Sequence, residues 1–188
     1  MTEQEKLLGD VGRILDNLDI RYVVTGGIAV TVWGRPRFTA DIDIAIELLP
    51  KKVDQLASAL LKIDKDVYVD REMMRHALIE KGEFNFINPA SGLKVDFFVL
   101  KGSRFDKEEI ARCVRKKIAE VWVSLISPED LVIRKLLWHR ESGSDRQLED
   151  VESILKRQKK LDRGYLKKWA KYHSVFALLE TLWKKTKR

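Results

Sequence analysis

TGGIAVTVWGRPRFTADIDIAI, residues 25–46, changes character several times within a short length of chain. It follows a β-branched run that predicts a short buried strand ending at Gly26-Gly27. The apolar residues after the glycines predict a short helix that begins there. Pro36 then predicts a loop, because proline biases its predecessor away from the helical region. The segment is expected to fold as a helix and a loop that lead into a second strand.

That second strand, predicted for residues 41–47, carries two carboxylates. Isoleucines alternate with Asp41 and Asp43, so one face enters the core and the other presents both aspartates. Aspartate is depleted in strands, and two ionised carboxylates on one face repel each other unless a cation lies between them. Carboxylate oxygens suit Mg²⁺ or Mn²⁺. The plain alternative is that the aspartates protect an exposed edge strand.

Asp96 is a third acid of the same kind, alone in the apolar run of residues 93–100. If that run pairs beside the strand with Asp41 and Asp43, the three carboxylates converge, as a site for two metal ions requires. Gly26-Gly27, between a strand and a helix, offers backbone N–H groups and a helix N-terminus to a phosphate. The glycines do not match a P-loop or GxGxxG.

The rest of the chain predicts an α+β region followed by helices. A helix is expected after the capping box Thr2/Glu5, and another after Pro50. Predicted later are strands at 76–80, 84–88, 93–100 and 121–126 and a helix from Asp106 to about Lys116. A cap at Ser127 and Pro128 opens a helical region. The expected domains are residues 1–126 and 127–188.

Composition limits the class of protein. The 188 residues, 45% of them hydrophobic, suffice for one core with an appended piece. The apolar runs are too short for a membrane span, and the N-terminus lacks the layout of a signal peptide. Cys113, the one cysteine, excludes an intramolecular disulfide, so a reducing cytoplasm is expected.

The net charge of +7 lies in the C-terminal tail, because residues 156–188 hold twelve Lys and Arg against only Asp162 and Glu180. Two interpretations stay open. The segment is either a solvated helix face with its aromatic residues in the core, or a surface that attracts a polyanion such as RNA.

These motifs together resemble the DNA polymerase β-like nucleotidyltransferase superfamily. Its pattern is an apolar strand, Gly-Gly, a spacer of about a dozen residues, Asp-x-Asp and a later third carboxylate. The detailed residue pattern, with Gly34, Arg37 and Thr39 before the aspartates, is most similar to that of AbiEii-like and small antibiotic-modifying nucleotidyltransferases. The chain departs from the family at Gln147, where another acid is common.

The resemblance implies a mixed sheet flanked by helices, followed by a helical subdomain, and a role for each matching residue. Asp41, Asp43 and Asp96 would be the catalytic residues and the ligands of Mg²⁺ or Mn²⁺. The nucleotide would be bound by the residues Gly26, Gly27, Arg37, Thr39 and Lys135. Plainer roles remain open: a surface arginine for Arg37, a turn cap for Thr39 and a solvated lysine for Lys135.

The implied reaction transfers an NMP from an NTP to an acceptor hydroxyl, with release of pyrophosphate. The acceptor could be a small molecule such as an antibiotic, an RNA 3′ end or a protein side chain. If the protein is a toxin of the AbiEii type, an antitoxin partner is expected. The alternative is a binding module that keeps the fold and binds nucleotide or RNA without catalysis.

Overall fold

The computed structural model of the chain describes residues 1–118 and 120–186. Residues 119 and 187–188, which the predicted domains include, lie outside the described residues. The chain divides into two compact units. The first consists of Met1–Gly27 and Phe38–Leu125, and the second of Ile28–Arg37 and Ile126–Arg188.

A six-stranded mixed sheet organises the first unit. Its strands are β1 (Tyr22–Val24), β2 (Asp41–Ile46), β3 (Glu83–Asn88), β4 (Leu93–Val99), β5 (Val114–Ile118) and β6 (Val121–Leu125). Their order is β3-β4-β2-β1-β6-β5. The pairs β2/β4 and β1/β6 are parallel, and the others are antiparallel. The predicted mixed sheet is confirmed, and β2 is an interior strand, which excludes the edge-protection alternative for Asp41 and Asp43.

The first unit also contains helices. They are α1 (Glu3–Asn17), α3 (Val53–Leu60), α4 (Arg71–Glu80) and α5 (Arg104–Ala111), with a 3-10 turn at Pro50–Lys52 before α3. The predicted capping box of α1 is present, since Thr2 and Glu5 each accept a backbone N–H of the other. The apolar side of α1, including Leu8, Val11 and Leu15, is almost fully buried. Burial of such stripes supplies most of the stability of short helices.

Two predictions for this unit are wrong. The expected strand at 76–80 is part of helix α4, which begins where Asp70 accepts the N–H groups of Glu72 and Met73. Its buried residues, Met74 and Ala77, are three apart, as on one face of a helix.

The helix expected from Asp106 to Lys116 is also misplaced. It begins two residues earlier, at Arg104, behind a capping box of Ser103 and Asp106. It ends at Ala111, and the chain then forms the edge strand β5 in register with β6.

The second unit is helical. It holds α6 (Pro128–Ser142), α7 (Asp145–Arg157), α8 (Arg163–Tyr172) and α9 (Phe176–Thr186). Most of helix α2 (Gly26–Trp33) also belongs to it, from Ile28 onward. Ser127 caps α6 by accepting the N–H of Asp130, and Pro128 stands in the first turn, as predicted. The core is apolar and includes Leu131, Ile133, Leu136, Val151, Ile154, Leu166, Trp169 and Leu179. Within residues 1–118 and 120–186, no helix is long and apolar enough to cross a membrane.

Candidate active site

Three carboxylates meet on one face of the sheet in the first unit. The parallel register of β2 and β4 sets Asp43 opposite Asp96 and Asp41 opposite Lys94. Neighbouring partners in a sheet project to the same face. The intervening Ile42 and Ile44 are fully buried, whereas the aspartates are half-buried. The predicted pairing of the two strands is therefore confirmed, and with it the convergence of the acids.

Lys94 supplies positive charge to this cluster. Its Nζ lies 2.8 Å from Oδ2 of Asp96. The pKa of Lys94 is raised, first by the hydrogen bond to Asp96 and also by the charges of Asp96, Asp41 and Asp43, against a lowering by burial. Positive charge is thus stabilised where the three carboxylates converge. The sequence reasoning missed Lys94, although it stands two residues before Asp96 and so on the same face of the strand.

Gly26 and Gly27 touch the same cluster from the start of α2. A Cβ on Gly26 would lie 1.8 Å from Oδ2 of Asp43, and the φ of Gly26 is +59°. A Cβ on Gly27 would lie 2.5 Å from Oγ1 of Thr39. The backbone N–H of Gly27 points at Oδ2 of Asp43, at 3.3 Å. Only glycine allows the helix terminus to approach the aspartate this closely.

The loop before β2 is fixed from two sides. The hydroxyl of Thr39 donates to the backbone carbonyl of Asp41, at 3.3 Å. The Nε2 group of Gln4 donates to the carbonyls of Thr39 and Ala40, at 2.9 and 3.0 Å. Gln4, which the sequence reasoning did not single out, thereby holds the backbone that leads into the Asp-x-Asp strand.

Arg37 and Lys135 meet in the second unit, at a buried carboxylate. Asp150 is fully buried, with Lys135 Nζ 3.0 Å from its Oδ2 and Arg37 Nε 3.2 Å from its Oδ1. The side chain of Lys135 is 3% exposed and that of Arg37 is 15% exposed. Arg35 approaches the same carboxylate to 3.9 Å and pairs with Glu149. Asp150 is therefore the carboxylate at which Arg35, Arg37 and Lys135 converge.

The remaining predicted residues, Asp41, Asp43, Asp96, Gly26, Gly27 and Thr39, all lie in the first unit. Asp150 was missed as a site residue. The signal for it was an acid on the apolar side of α7, next to Val151 and four residues before Ile154, which are both fully buried.

The donor set can be tested against a divalent metal. Within the described part of the chain, no group of three His, Cys, Asp or Glu side chains is arranged as a ready-made metal site. The three aspartates nevertheless offer hard oxygen ligands on one face, and their field stabilises a cation, the ammonium of Lys94. The residues fit a divalent metal that replaces that ammonium at Asp96.

Solved structures with the same fold are nucleotidyltransferases and related proteins. An antigenic nucleotidyltransferase-like protein from Paracoccidioides brasiliensis superposes with a TM-score of 0.55 at 20% identity, over 97% of this chain and 93% of that one. ANT(2")-Ia, solved in complex with adenylyl-2"-tobramycin, gives 0.55 at 14% identity, over 98% and 99%. The lincosamide antibiotic adenylyltransferase LnuA, solved with lincomycin bound, gives 0.53 at 16% identity, over 82% and 96%.

The fold is therefore that of solved nucleotidyltransferases, as the resemblance implied. The chain belongs to the family described as nucleotidyl transferase of unknown function (DUF2204), whose pattern matches residues 4–174. No curated protein is significantly similar to the chain in sequence.

Proposed function

We propose that the protein is a metal-dependent nucleotidyltransferase that moves an NMP from an NTP to an acceptor hydroxyl. The observation that carries the proposal is the parallel register of β2 and β4, which sets Asp43 opposite Asp96 and keeps Asp41 on the same face. Three carboxylates on one face are costly unless they serve a cation. The family and the fold supply the reaction class.

Asp41, Asp43 and Asp96 are the proposed ligands of two Mg²⁺ or Mn²⁺ ions. When bound, such ions supply Lewis-acid stabilisation of phosphate charge. Asp96 also orients the acceptor hydroxyl and takes its proton. The hydroxyl oxygen attacks the α-phosphorus in line, a new P–O bond forms, and the bond to the pyrophosphate oxygen breaks.

Phosphate binding is assigned to backbone and cationic groups. The N–H groups at Gly26 and Gly27 lie beside Asp43 and suit the β- and γ-phosphates of a metal-bound nucleotide. The side chain of Arg37 is 15% exposed, against 3% for Lys135, and we assign Arg37 the phosphate contact. Direct contact of Lys135 with nucleotide stays a prediction; its burial favours a positioning role through Asp150. Thr39 contributes by fixing the backbone before Asp41.

The acceptor is a hydroxyl compound, and two classes are carried forward. ANT(2")-Ia and LnuA, which share the fold, are named for their action on antibiotics or bound to them, which favours a small molecule. The basic tail favours RNA. A toxin role with an antitoxin partner, and a cytoplasmic location, stay predictions.

One observation favours the second candidate, a nucleotide-binding module without catalysis. Lys94 already gives the carboxylates a positive partner. A protein that had lost its metal could keep its fold with such an internal cation in place.

Label transfer separates the two candidates. The protein is incubated with α-labelled or γ-labelled NTPs, Mg²⁺ or Mn²⁺, and either total RNA or a panel of hydroxylated antibiotics. An enzyme moves the α label to an acceptor and releases the γ label as pyrophosphate, and the variant Asp41→Ala/Asp43→Ala does neither.

The matched control is Asp66→Asn, which removes an exposed carboxylate only loosely paired with Lys65 at 4.0 Å. It should transfer label like the wild type. Nucleotide binding without any transfer to either acceptor class would favour the binding module. Transfer that persists in the Asp41/Asp43 variant would contradict the proposed site.

A further inference from the structure

A basic pocket with an aromatic wall lies within the second unit, among α7, α8 and α9. It has a volume of about 260 Å³, and its lining includes Lys156, Lys159, Arg163 and Trp183. The first three side chains belong to exposed residues, and Trp183 is half-buried. The guanidinium of Arg163 lies over the Trp183 ring, 6.0 Å from its centroid. We propose that this pocket binds single-stranded nucleic acid, with phosphates on the cations and a base on the tryptophan.

The charge around the pocket favours an anion. Lys156 pairs with Glu152 at 3.7 Å, and Lys185 contacts the same carboxylate. Asp162, between the lining residues Leu161 and Arg163, is used as the cap of α8 and accepts the N–H of Tyr165 at 2.9 Å, while its own N–H donates to Glu129. Lys159 and Arg163 line the pocket beyond these pairs. A polyanion that meets such cations releases counterions, which drives binding at low salt.

The aromatic wall favours bases over a plain anion. Stacking on an aromatic ring, aided by a neighbouring arginine, binds unpaired bases with little regard to sequence. Two other aromatic rings of the tail are excluded: Trp169 is 1% exposed and belongs to the core, and Tyr172, 65% exposed, does not line the pocket. Trp183 is therefore the ring that a base in the pocket can reach. A volume of about 260 Å³ is below the usual range for a drug-sized ligand, roughly 300–1,000 Å³, and suits one unit of a strand that continues outside.

The site goes beyond the proposed transfer reaction, and its test needs no turnover. The probe is a fluorescein-labelled 15-nucleotide RNA of mixed sequence, and the readout is anisotropy with the full chain in a salt series without NTP. Lys159→Gln/Arg163→Gln should weaken binding at least about tenfold. Each phosphate contact with a single strand contributes roughly 0.7 to the slope of log K against log salt, so loss of two contacts should make the slope less steep by about 1.4.

The control for charge alone is Lys167→Gln/Lys171→Gln, which removes two exposed cations of α8 that do not line the pocket. It should bind RNA within about threefold of the wild type. Trp183→Leu should weaken binding about tenfold and remove part of the quenching of tryptophan fluorescence by RNA. Its thermal unfolding is recorded beside that of the wild type, and the surface double variant tests the same site if α9 is destabilised.

Four results would overturn the proposal: no RNA binding at 50 mM salt, equal losses in the two double variants, unchanged quenching in a folded Trp183 variant, or equal affinity for a duplex of the same length. A DNA strand of the same sequence separates the two sources of the ligand. Equal binding identifies a site that uses phosphates and bases alone, and tighter RNA binding adds a contact with the 2′-hydroxyl.

Discussion

Replacing Gly26 by alanine should damage the site while leaving the fold in place. The new Cβ would lie 1.8 Å from Oδ2, 2.4 Å from Cγ and 2.7 Å from Cβ of Asp43. Ordinary contacts between such atoms are roughly 3.5 Å, so the aspartate or the start of α2 must move by about 1 Å or more. The φ of +59° adds about 1–2 kcal/mol of backbone strain. A displacement of about 1 Å among reacting groups costs on the order of 100-fold in rate.

The assay is the transfer rate per folded protein, together with urea unfolding. The control is Gly102→Ala, where φ is +76° and, apart from the chain neighbours, no heavy atom of the described residues lies within 4 Å of the added Cβ. The two variants share a backbone strain of about 1–2 kcal/mol, and the clash with Asp43 should cost Gly26→Ala roughly 1–3 kcal/mol more. Only Gly26→Ala should lose activity, by about 100-fold or more. Wild-type activity in Gly26→Ala, or an equal loss in Gly102→Ala, would show that the close approach of Gly26 to Asp43 does not matter for transfer.

Three further predictions concern single side chains. Asp150→Asn should lower the free energy of unfolding by about 3–5 kcal/mol in urea titrations, because it removes the buried carboxylate that Arg37 and Lys135 contact. The side chain of Glu149 is 59% exposed, so the control Glu149→Gln should lower it by less than about 1 kcal/mol. Lys94→Gln should raise the affinity for Mn²⁺ without nucleotide about fivefold, since one competing charge near the carboxylates is worth about 1 kcal/mol even in water; unchanged affinity in a Mn²⁺ titration would contradict the cation exchange at Asp96. Burial raises the pKa of Tyr22 above its ordinary value of 10.0, so the unfolded chain ionises first and stability falls as the pH rises past 10.0. Tyr22→Phe should remove part of this decline in unfolding curves between pH 9 and 11; an unaltered decline would show that Tyr22 does not cause it.

Local pattern was enough to predict the centre of the fold. Polar and apolar residues alternate in β2 with a period of two, which predicts both the strand and the face that carries its carboxylates without knowledge of its neighbours. The pairing of Asp43 with Asp96 could be stated only as a condition, because 53 positions separate them in the numbering of the chain and nothing local fixes the register. The sequence also could not reveal that β2 lies inside the sheet, between β4 and β1.

The missed features depend on long-range contacts. Asp150 meets Arg37 across a sequence separation of 113, so its burial cannot be inferred from either segment alone. Nothing in the local sequence marks Lys94 as part of the carboxylate cluster; only the strand register, which sets Asp41 opposite it, does so. The edge strand β5 has the sequence VRKKI, whose basic residues are also typical of an exposed helix surface. Only its pairing with β6 identifies it as a strand.

Asp41, Asp43 and Asp96 are expected to bind a metal–nucleotide complex. The most direct measurement is electron paramagnetic resonance of Mn²⁺ titrated with the protein and an NTP, comparing wild type, Asp43→Asn and the control Asp66→Asn. Wild type and the control should remove free Mn²⁺ from solution in the presence of nucleotide, and Asp43→Asn, with an unchanged circular dichroism spectrum, should not. Equal binding of Mn²⁺ and nucleotide by Asp43→Asn would show that this carboxylate is not a metal ligand.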